Sequence, residues 1–357
     1  MITSSAALDE LAARLESCEH LGLDTEFLRE RTYRAQLCLV QISSPGDAVC
    51  IDPLAVTELA GLARILAAPA ITKVMHASRQ DVEVLFPVAG LVRPVFDTQI
   101  AAALCGLPAQ IGYGELVRRL LSRELPKSHT RTDWSRRPLS AEQIEYALDD
   151  VRYLLPLKAI LEEQLDRSGR LAWLAEELDE LNGSRTIATD PQDAWLRVKG
   201  LRGLDPARER LAQCLAAWRE SRAIERNKPR GWILDDVALR EIVIQVPRTL
   251  QALAGIPEIP AGVLKHCGTE LLQCVTAAQV PDPPPPLNTR SRPDPVRTAL
   301  VKKLSALNQT LAVDLGLSPE VLTTRRELEQ LADGQRDVAV LRGWRRGVVG
   351  ERLLAAL

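Results

Sequence analysis

Every strand signal in this chain falls in its first half, and from about Trp195 onward the pattern is helical. "HLGLDTEF", "QLCLVQIS" and "AVCIDPL" are short apolar runs, the last two parted by the turn signal "SPGD". "VTELAGLARILAAP" is helical and stops at Pro69. "ITKVMHA" and the start of "PVFDTQIAAALCG" then return to extended spacing between further helices. Strands that come first as a meander and then alternate with helices predict a mixed sheet of about five or six strands covered by helices. The expected fold class for residues 1–195 is therefore α/β. "SAEQIEYALDDVRYLLPLKAILEEQLDRSG" is expected to be one long helix, kinked at Pro156.

The remainder divides by composition. Residues 196–280 give a compact all-helical pattern with short loops, residues 281–295 a stiff proline-rich linker, and residues 296–357 a second small helical unit. The two helical units are similar in length, as a diverged repeat would be. The formal net charge is only −2, but it is unevenly spread. Residues 1–200 hold 22 Lys+Arg against 29 Asp+Glu, a balance of −7; residues 201–278 hold 11 against 9, or +2; residues 288–357 hold 12 against 8, or +4. An acidic N-terminal part joined to mildly basic helical parts fits cation binding in the first and polyanion contact in the others. The seven cysteines are scattered and show no CxxC, so neither a disulfide framework nor a zinc site is expected. No secretory signal and no apolar run of membrane-spanning length occurs, which points to a reducing, cytoplasmic location without membrane contact. The chain is expected to be a monomer.

Asp24 and Glu26 lie two apart in the first strand and so share one face. Two adjacent carboxylates repel and resist burial. Asp81 opens a helix just after "KVMHA", and Asp150 lies on the helix "IEYALDDVRYLL", where Tyr146 stands four residues earlier on the same face. Asp149 is turned about 100° away and is expected to meet solvent. Four carboxylates around two Mg²⁺ or Mn²⁺ ions would relieve the repulsion, and two such ions can stabilise both the attacking and leaving oxygens of a phosphoryl displacement.

"LDTEF" with "TYRAQLCLVQIS", then "KVMHASRQDVEVL", then "YALDDVRYLLPL" resemble, in order, the three exonuclease motifs of the DEDD superfamily, and Tyr146-x-x-x-Asp150 matches its tyrosine-bearing subclass. "LPKSHTRTDWSRRPLS" resembles the segment before the third motif in ribonuclease D, and "LAAWRESRAIERNKPRGWILDD" resembles the HRDC domain shared by helicases and ribonuclease D. The resemblance implies a ribonuclease H-like exonuclease fold followed by two HRDC-type domains. It implies a metal-dependent 3′→5′ exoribonuclease that releases nucleoside 5′-monophosphates from RNA, tRNA precursors included. Asp24 would bridge two metals, Glu26 and Asp150 would complete the nucleophile-side metal, and Asp81 would hold the second. Tyr146 would orient the attacking hydroxide. Thr25, Phe27, Leu28, His76, Lys127 and Arg137 are the expected substrate contacts. His76 could touch the scissile phosphate, tune the second metal or be a hydrogen-bonded structural histidine; Lys127, Arg131 and Arg137 could contact phosphates or be solvated loop residues; Phe27 or Leu28 could wedge against the terminal base or be buried in the core. A proofreading-type DNA exonuclease shares these motifs, and a binding protein that kept the fold without the chemistry is the alternative of another class.

Other features carry weaker signals. Asp97 in "DTQIAAAL" reads as a helix N-cap rather than a ligand. Trp134 reads as a packing anchor. Arg219, Arg222, Arg226, Lys228 and Arg230 around Trp218 and Trp232, and the C-terminal "RGWRRG", could track a phosphate backbone or be ion-paired helix surface.

Overall fold

A computed structural model of the chain describes residues 1–126, 132–182, 190–201, 204–282 and 294–357. They fall into two compact units: one drawn from 1–28, 37–187 and 293–357, the other from 29–36 and 188–292.

The first unit is built on a five-stranded sheet with strand order β3-β2-β1-β4-β5. Its strands are β1 His20–Leu28, β2 Gln36–Ser44, β3 Asp47–Ile51, β4 Thr72–Met75 and β5 Val95–Asp97. β2 and β3 pair antiparallel, whereas β4 is parallel to both β1 and β5, so the sheet is mixed as expected. Alternation decides what each face carries. Leu21, Leu23, Val40 and Ile42 join one core with helices α1 Ser5–Leu15, α2 Ala60–Ala67 and α3 Arg79–Ala89. The opposite face of β1 carries Gly22, Asp24 and Glu26 beneath α6 Ala141–Arg152 and α7 Leu154–Arg167. Helices α4 Thr98–Leu104, α5 Tyr113–Leu121 and α8 Leu171–Asn182 complete that layer.

The long helix is broken rather than kinked. α6 ends at Arg152, Tyr153 caps both pieces, and Pro156 sits in the first turn of α7. A proline lacks the N–H an interior position would donate, and the first turn is where that loss costs nothing.

The C-terminal residues also depart from expectation. Helices α14 Pro295–Leu315, α15 Pro319–Leu322, α16 Arg325–Ala332, α17 Gly343–Arg345 and α18 Glu351–Ala355 do not stand apart beyond the proline-rich segment. Leu304, Leu322, Val340, Val349 and Leu353 are buried in one core with Leu154, Leu157, Leu161 and Leu174. The "RGWRRG" motif belongs to this packing. Trp344 stacks on Trp173 with centroids 4.4 Å apart, its Nε1–H donates to Glu177 (2.8 Å), and Arg345 pairs with the same carboxylate. Arg342 and Arg346 pair with Asp337 and Glu351.

The second unit is helical: α9 Pro206–Arg226, α10 Arg230–Ile233, α11 Asp236–Gln245, α12 Leu250–Ala254 and α13 Ala261–Ala277. A 3₁₀ turn, Pro191–Arg197, buries Ala194 against the same core as Leu211, Leu215 and Leu271, so residues just before 196 pack with this unit. Residues 29–36 group with it as well; the Tyr33 hydroxyl donates to Glu220, whose side chain is fully buried. Most of the basic run is ion-paired inside the unit. Arg219 bonds Asp236 (2.6 Å), Arg222 bonds Glu270, Arg230 bonds Glu220 (2.5 Å), and the Trp218 Nε1–H also donates to Glu270 (2.5 Å). Trp232 is the exposed exception, 60% accessible, with the Lys228 ammonium 5.6 Å from its ring centroid. No described helix is long and apolar enough to cross a membrane. The seven cysteines are free thiols.

Candidate active site

Gly22 is what lets the site form. A Cβ there would stand 2.1 Å from the Ser43 hydroxyl, 3.0 Å from the Val151 carbonyl oxygen and 3.3 Å from the Leu154 Cβ. Without one, the end of α6 lies directly on β1, an approach fixed by the Ser43 hydroxyl donating to the Val151 carbonyl (2.8 Å). Asp150, one residue earlier on α6, then meets the carboxylates of β1. Oxygens of Asp24, Glu26 and Asp150 all lie within 4.8 Å of one another. Asp81 stands beside this trio, in the first turn of α3, and accepts a 2.5 Å hydrogen bond from the Thr25 hydroxyl. Thr25, 5% exposed, thus ties the fourth carboxylate to the strand that carries the first two, and its hydroxyl is not left for substrate.

The electrostatics are those of crowded acids. Burial first, and then the charges of Asp81, Asp150 and Glu26, hold the Asp24 carboxyl far above the usual carboxylate range. Burial followed by Asp150 and Asp81 pushes Glu26 up to about 8. Burial pushes Asp150 up to about 7, against the opposing hydrogen bond from Tyr146, and Asp81 up to about 6, against that from Thr25. The Tyr146 phenol is itself driven well up by burial and by Asp150, Glu26 and Asp24, so it stays protonated and acts as a donor. Its ring stacks on Trp134 with centroids 6.2 Å apart; Trp134 is buried, the packing anchor expected.

An all-oxygen donor set of converging carboxylates suits hard divalent cations such as Mg²⁺ or Mn²⁺. The neighbours that act on Glu26 are carboxylates, so positive charge has to come from outside the chain. A pH dependence follows. Carboxyls with raised values bind more protons in the folded than in the unfolded protein, between about pH 4 and the raised values near 6, 7 and 8. Chelator-treated protein is therefore expected to lose stability as pH rises from 5 to 8.5. Added Mg²⁺ or Mn²⁺ should raise the Tm more at pH 8 than at pH 5. A metal-induced shift that is equal at both pH values would contradict the arrangement.

Several predicted substrate contacts are spent elsewhere. His76 is structural: Nε2 donates to the Ile111 carbonyl, Nδ1 pairs with the Thr98 hydroxyl (both 2.9 Å), and burial lowers its pKa so that the ring is neutral at pH 7. Arg137 has no donor to spare for a phosphate. Nε and Nη2 clamp Asp52 at 2.6 and 2.7 Å, and the remaining N–H groups reach the carbonyls of Cys38, Trp134 and Arg136. Lys127 and Arg131 lie outside the described residues. Leu28 packs partly against Trp134 and Leu139, and Phe27 is half-buried at the end of β1. Asp149 does not simply face solvent; its side chain is 13% exposed and pairs with Arg152.

Two scaffolding roles have no local signal in the sequence. Asp97 is the N-cap expected for α4, accepting from Gln99 N and Ile100 N, but it also accepts from Ala77 N, Ser78 N and Ser78 Oγ, which shapes the turn that presents Asp81. The Tyr113 hydroxyl donates to the Asp149 carbonyl and accepts from Tyr153 N, pinning the α6–α7 junction next to Asp150. Tyr113, Arg118, Leu125, Tyr146 and Asp150 line a cavity of about 870 Å³ that opens beside the carboxylates.

A 3′-5′ exonuclease family model matches residues 1–166, and an HRDC domain model matches residues 208–275. The chain is 40% identical over 366 residues to ribonuclease D of Jannaschia sp. (strain CCS1), covering 100% of this chain and 94% of that one. It is 38% identical over 360 residues to ribonuclease D of Nitrobacter hamburgensis, covering 99% and 94%. Among solved structures it is similar to that of Escherichia coli RNase D, described as an exoribonuclease involved in structured RNA processing. The TM-score there is 0.87 and the identity 32%, with 100% of this chain and 98% of that chain covered.

Proposed function

The chain belongs to the ribonuclease D family of 3′→5′ exoribonucleases. From that premise we propose that it removes nucleoside 5′-monophosphates one at a time from RNA 3′ ends, tRNA precursors among them, by hydrolysis at two Mg²⁺ or Mn²⁺ ions, and that it works as a cytoplasmic monomer. One observation carries the reading: the carboxylate oxygens of Asp24, Glu26 and Asp150 converge within 4.8 Å, with Asp81 held beside them by Thr25. When bound, the cations supply the charge that steadies the attacking and leaving oxygens of the displacement. Asp24 would face both cations, with Glu26 and Asp150 on the side of the attacking water and Asp81 on the other. Tyr146, protonated and braced by Trp134, would turn the O–H that now bonds Asp150 toward that water and orient it. Phe27, half-buried at the end of β1, would pack on the terminal base.

The helical parts fit a duplicated HRDC-type module. α9 and α14 are each 21 residues long, begin with a proline after an Asp N-cap, and end on a left-handed residue, Asn227 or Gly316. The starts of the next helices keep one spacing: 206 and 295, 230 and 319, 236 and 325 are all 89 residues apart.

RNA and DNA of one sequence, labelled at either end, test the assignment in Mg²⁺ or Mn²⁺. The expected result is release of labelled mononucleotide from the 3′ end of RNA, with 5′ label retained on shortening products. Equal release from DNA would move the substrate away from RNA, and no release from either would overturn the enzymatic reading.

A further inference from the structure

Gln41 stands in the middle of β2, fully buried between Val40 and Ile42, and neither its Oε1 nor its Nε2 has a hydrogen-bond partner. Among the described residues no other side chain leaves a whole carboxamide unmet in this way. A buried amide without partners is destabilising, and an apolar residue would fill a sheet position at no such cost. The position of Gln41 shows which group it lacks. β1 and β2 are neighbours in the sheet, and the seven residues between Leu28 and Gln36 are too few for the crossover a parallel pair requires, so the two strands run antiparallel. Gly22 and Ser43 face each other across them, since a Cβ on Gly22 would meet the Ser43 hydroxyl. Side chains repeat on a face every second residue. One step along from that pair, on the same face and in the same direction, are Asp24 on β1 and Gln41 on β2. Helix α6, bearing Tyr146 and Asp150, covers that face through the Ser43 bond to Val151.

We propose that Gln41 is a positioning residue of the cation-loaded site, its Nε2–H donating to the Asp24 carboxylate and holding that carboxylate turned toward the cations. The amide is unmet while Asp24 is crowded by the other acids, and it finds its partner when cations draw those acids into fixed orientations. An outer-shell hydrogen bond of this kind orients a ligating carboxylate and tightens the site. The proposal rests on the two-cation reading of the same carboxylates, and the experiment separates the two.

Gln41→Met keeps the volume of the side chain and removes its polar atoms; Gln41→Leu serves if the Met variant does not fold. Mn²⁺ binding is measured by titration calorimetry, and the Tm is measured in chelator and in saturating Mn²⁺. The variant is expected to melt in chelator at or above the wild-type temperature. Its Mn²⁺ affinity should fall by about 10-fold or more, the gain in Tm on adding Mn²⁺ should shrink, and kcat should fall with KM for RNA little changed. A variant with wild-type Mn²⁺ affinity and the same Tm offset in both conditions would overturn the proposal and leave Gln41 a partner for buried water alone. Wild-type protein that binds no Mn²⁺ would overturn the two-cation reading itself, and this proposal with it.

Discussion

Asp24→Asn should abolish RNA hydrolysis and at the same time make the metal-free protein more stable. Turnover in saturating Mg²⁺ is expected to drop by about 10³-fold or more, because several kcal/mol of transition-state charge stabilisation depend on cations that this carboxylate helps to hold. The second half of the result distinguishes a lost ligand from a damaged fold. In the wild-type chain, burial and three neighbouring acids all press the Asp24 carboxyl toward its neutral form. The Asn side chain is neutral at every pH and nearly isosteric, so it relieves that repulsion without opening a cavity. At pH 8 in chelator the variant should melt above wild type, and the difference should fade toward pH 4, where all the acids are protonated in both proteins. Added Mg²⁺ should raise the wild-type Tm and leave that of the variant almost unchanged. Full activity in the variant, or a lower Tm in chelator at pH 8, would remove Asp24 from the centre of the site.

The carboxylate constellation could be read from the sequence because each member sits in a local signal: a strand with two acids on one face, an acid opening a helix, and a Tyr–Asp pair one helical turn apart. Period-two and period-3.6 spacing place such side chains without any knowledge of the fold. What could not be read is how the surrounding polar groups divide their hydrogen bonds. Arg137 and His76 look available in one dimension, yet Asp52 lies 85 residues from Arg137, and Ile111 lies 35 from His76. Gly22 looks like a weak point in a strand, and its meaning depends on Val151 and Ser43. The break at Tyr153 reads as a kink in the sequence because Pro156 is visible there, whereas the tertiary anchor at Tyr113 is not. The ion pairs of the helical unit were harder still. Arg222 and Glu270 are 48 residues apart, and only the packing of α9 on α13 shows that they neutralise each other.

The boundary at the proline-rich segment suggests a removable C-terminal module, and its removal should instead destroy the nuclease unit. Ending the chain before residue 294 deletes Leu304, Leu311, Leu322, Val340, Val349 and Leu353 from the core that also contains Leu154, Leu157, Leu161 and Leu174. Each large apolar side chain contributes roughly 1.5–3 kcal/mol through burial. Six of them together therefore match or exceed the whole stability of an ordinary domain, about 5–15 kcal/mol. The lost polar contacts add to this: Arg170 bonds the Leu315 carbonyl, and Glu176 and Glu177 bond Trp344 and Arg345. Glu176 and Glu177 would then be left as like charges on a helix with no cation to meet them. The shortened chain is expected to be insoluble, or to melt without a cooperative transition, and to lack activity even with every carboxylate of the site in place. Trp344→Ala should give a graded version, a lower Tm with kcat nearly kept in the fraction that remains folded. A soluble, cooperatively melting chain ending before residue 294 would show that the nuclease core closes without these helices, and the shared core would then have to be abandoned.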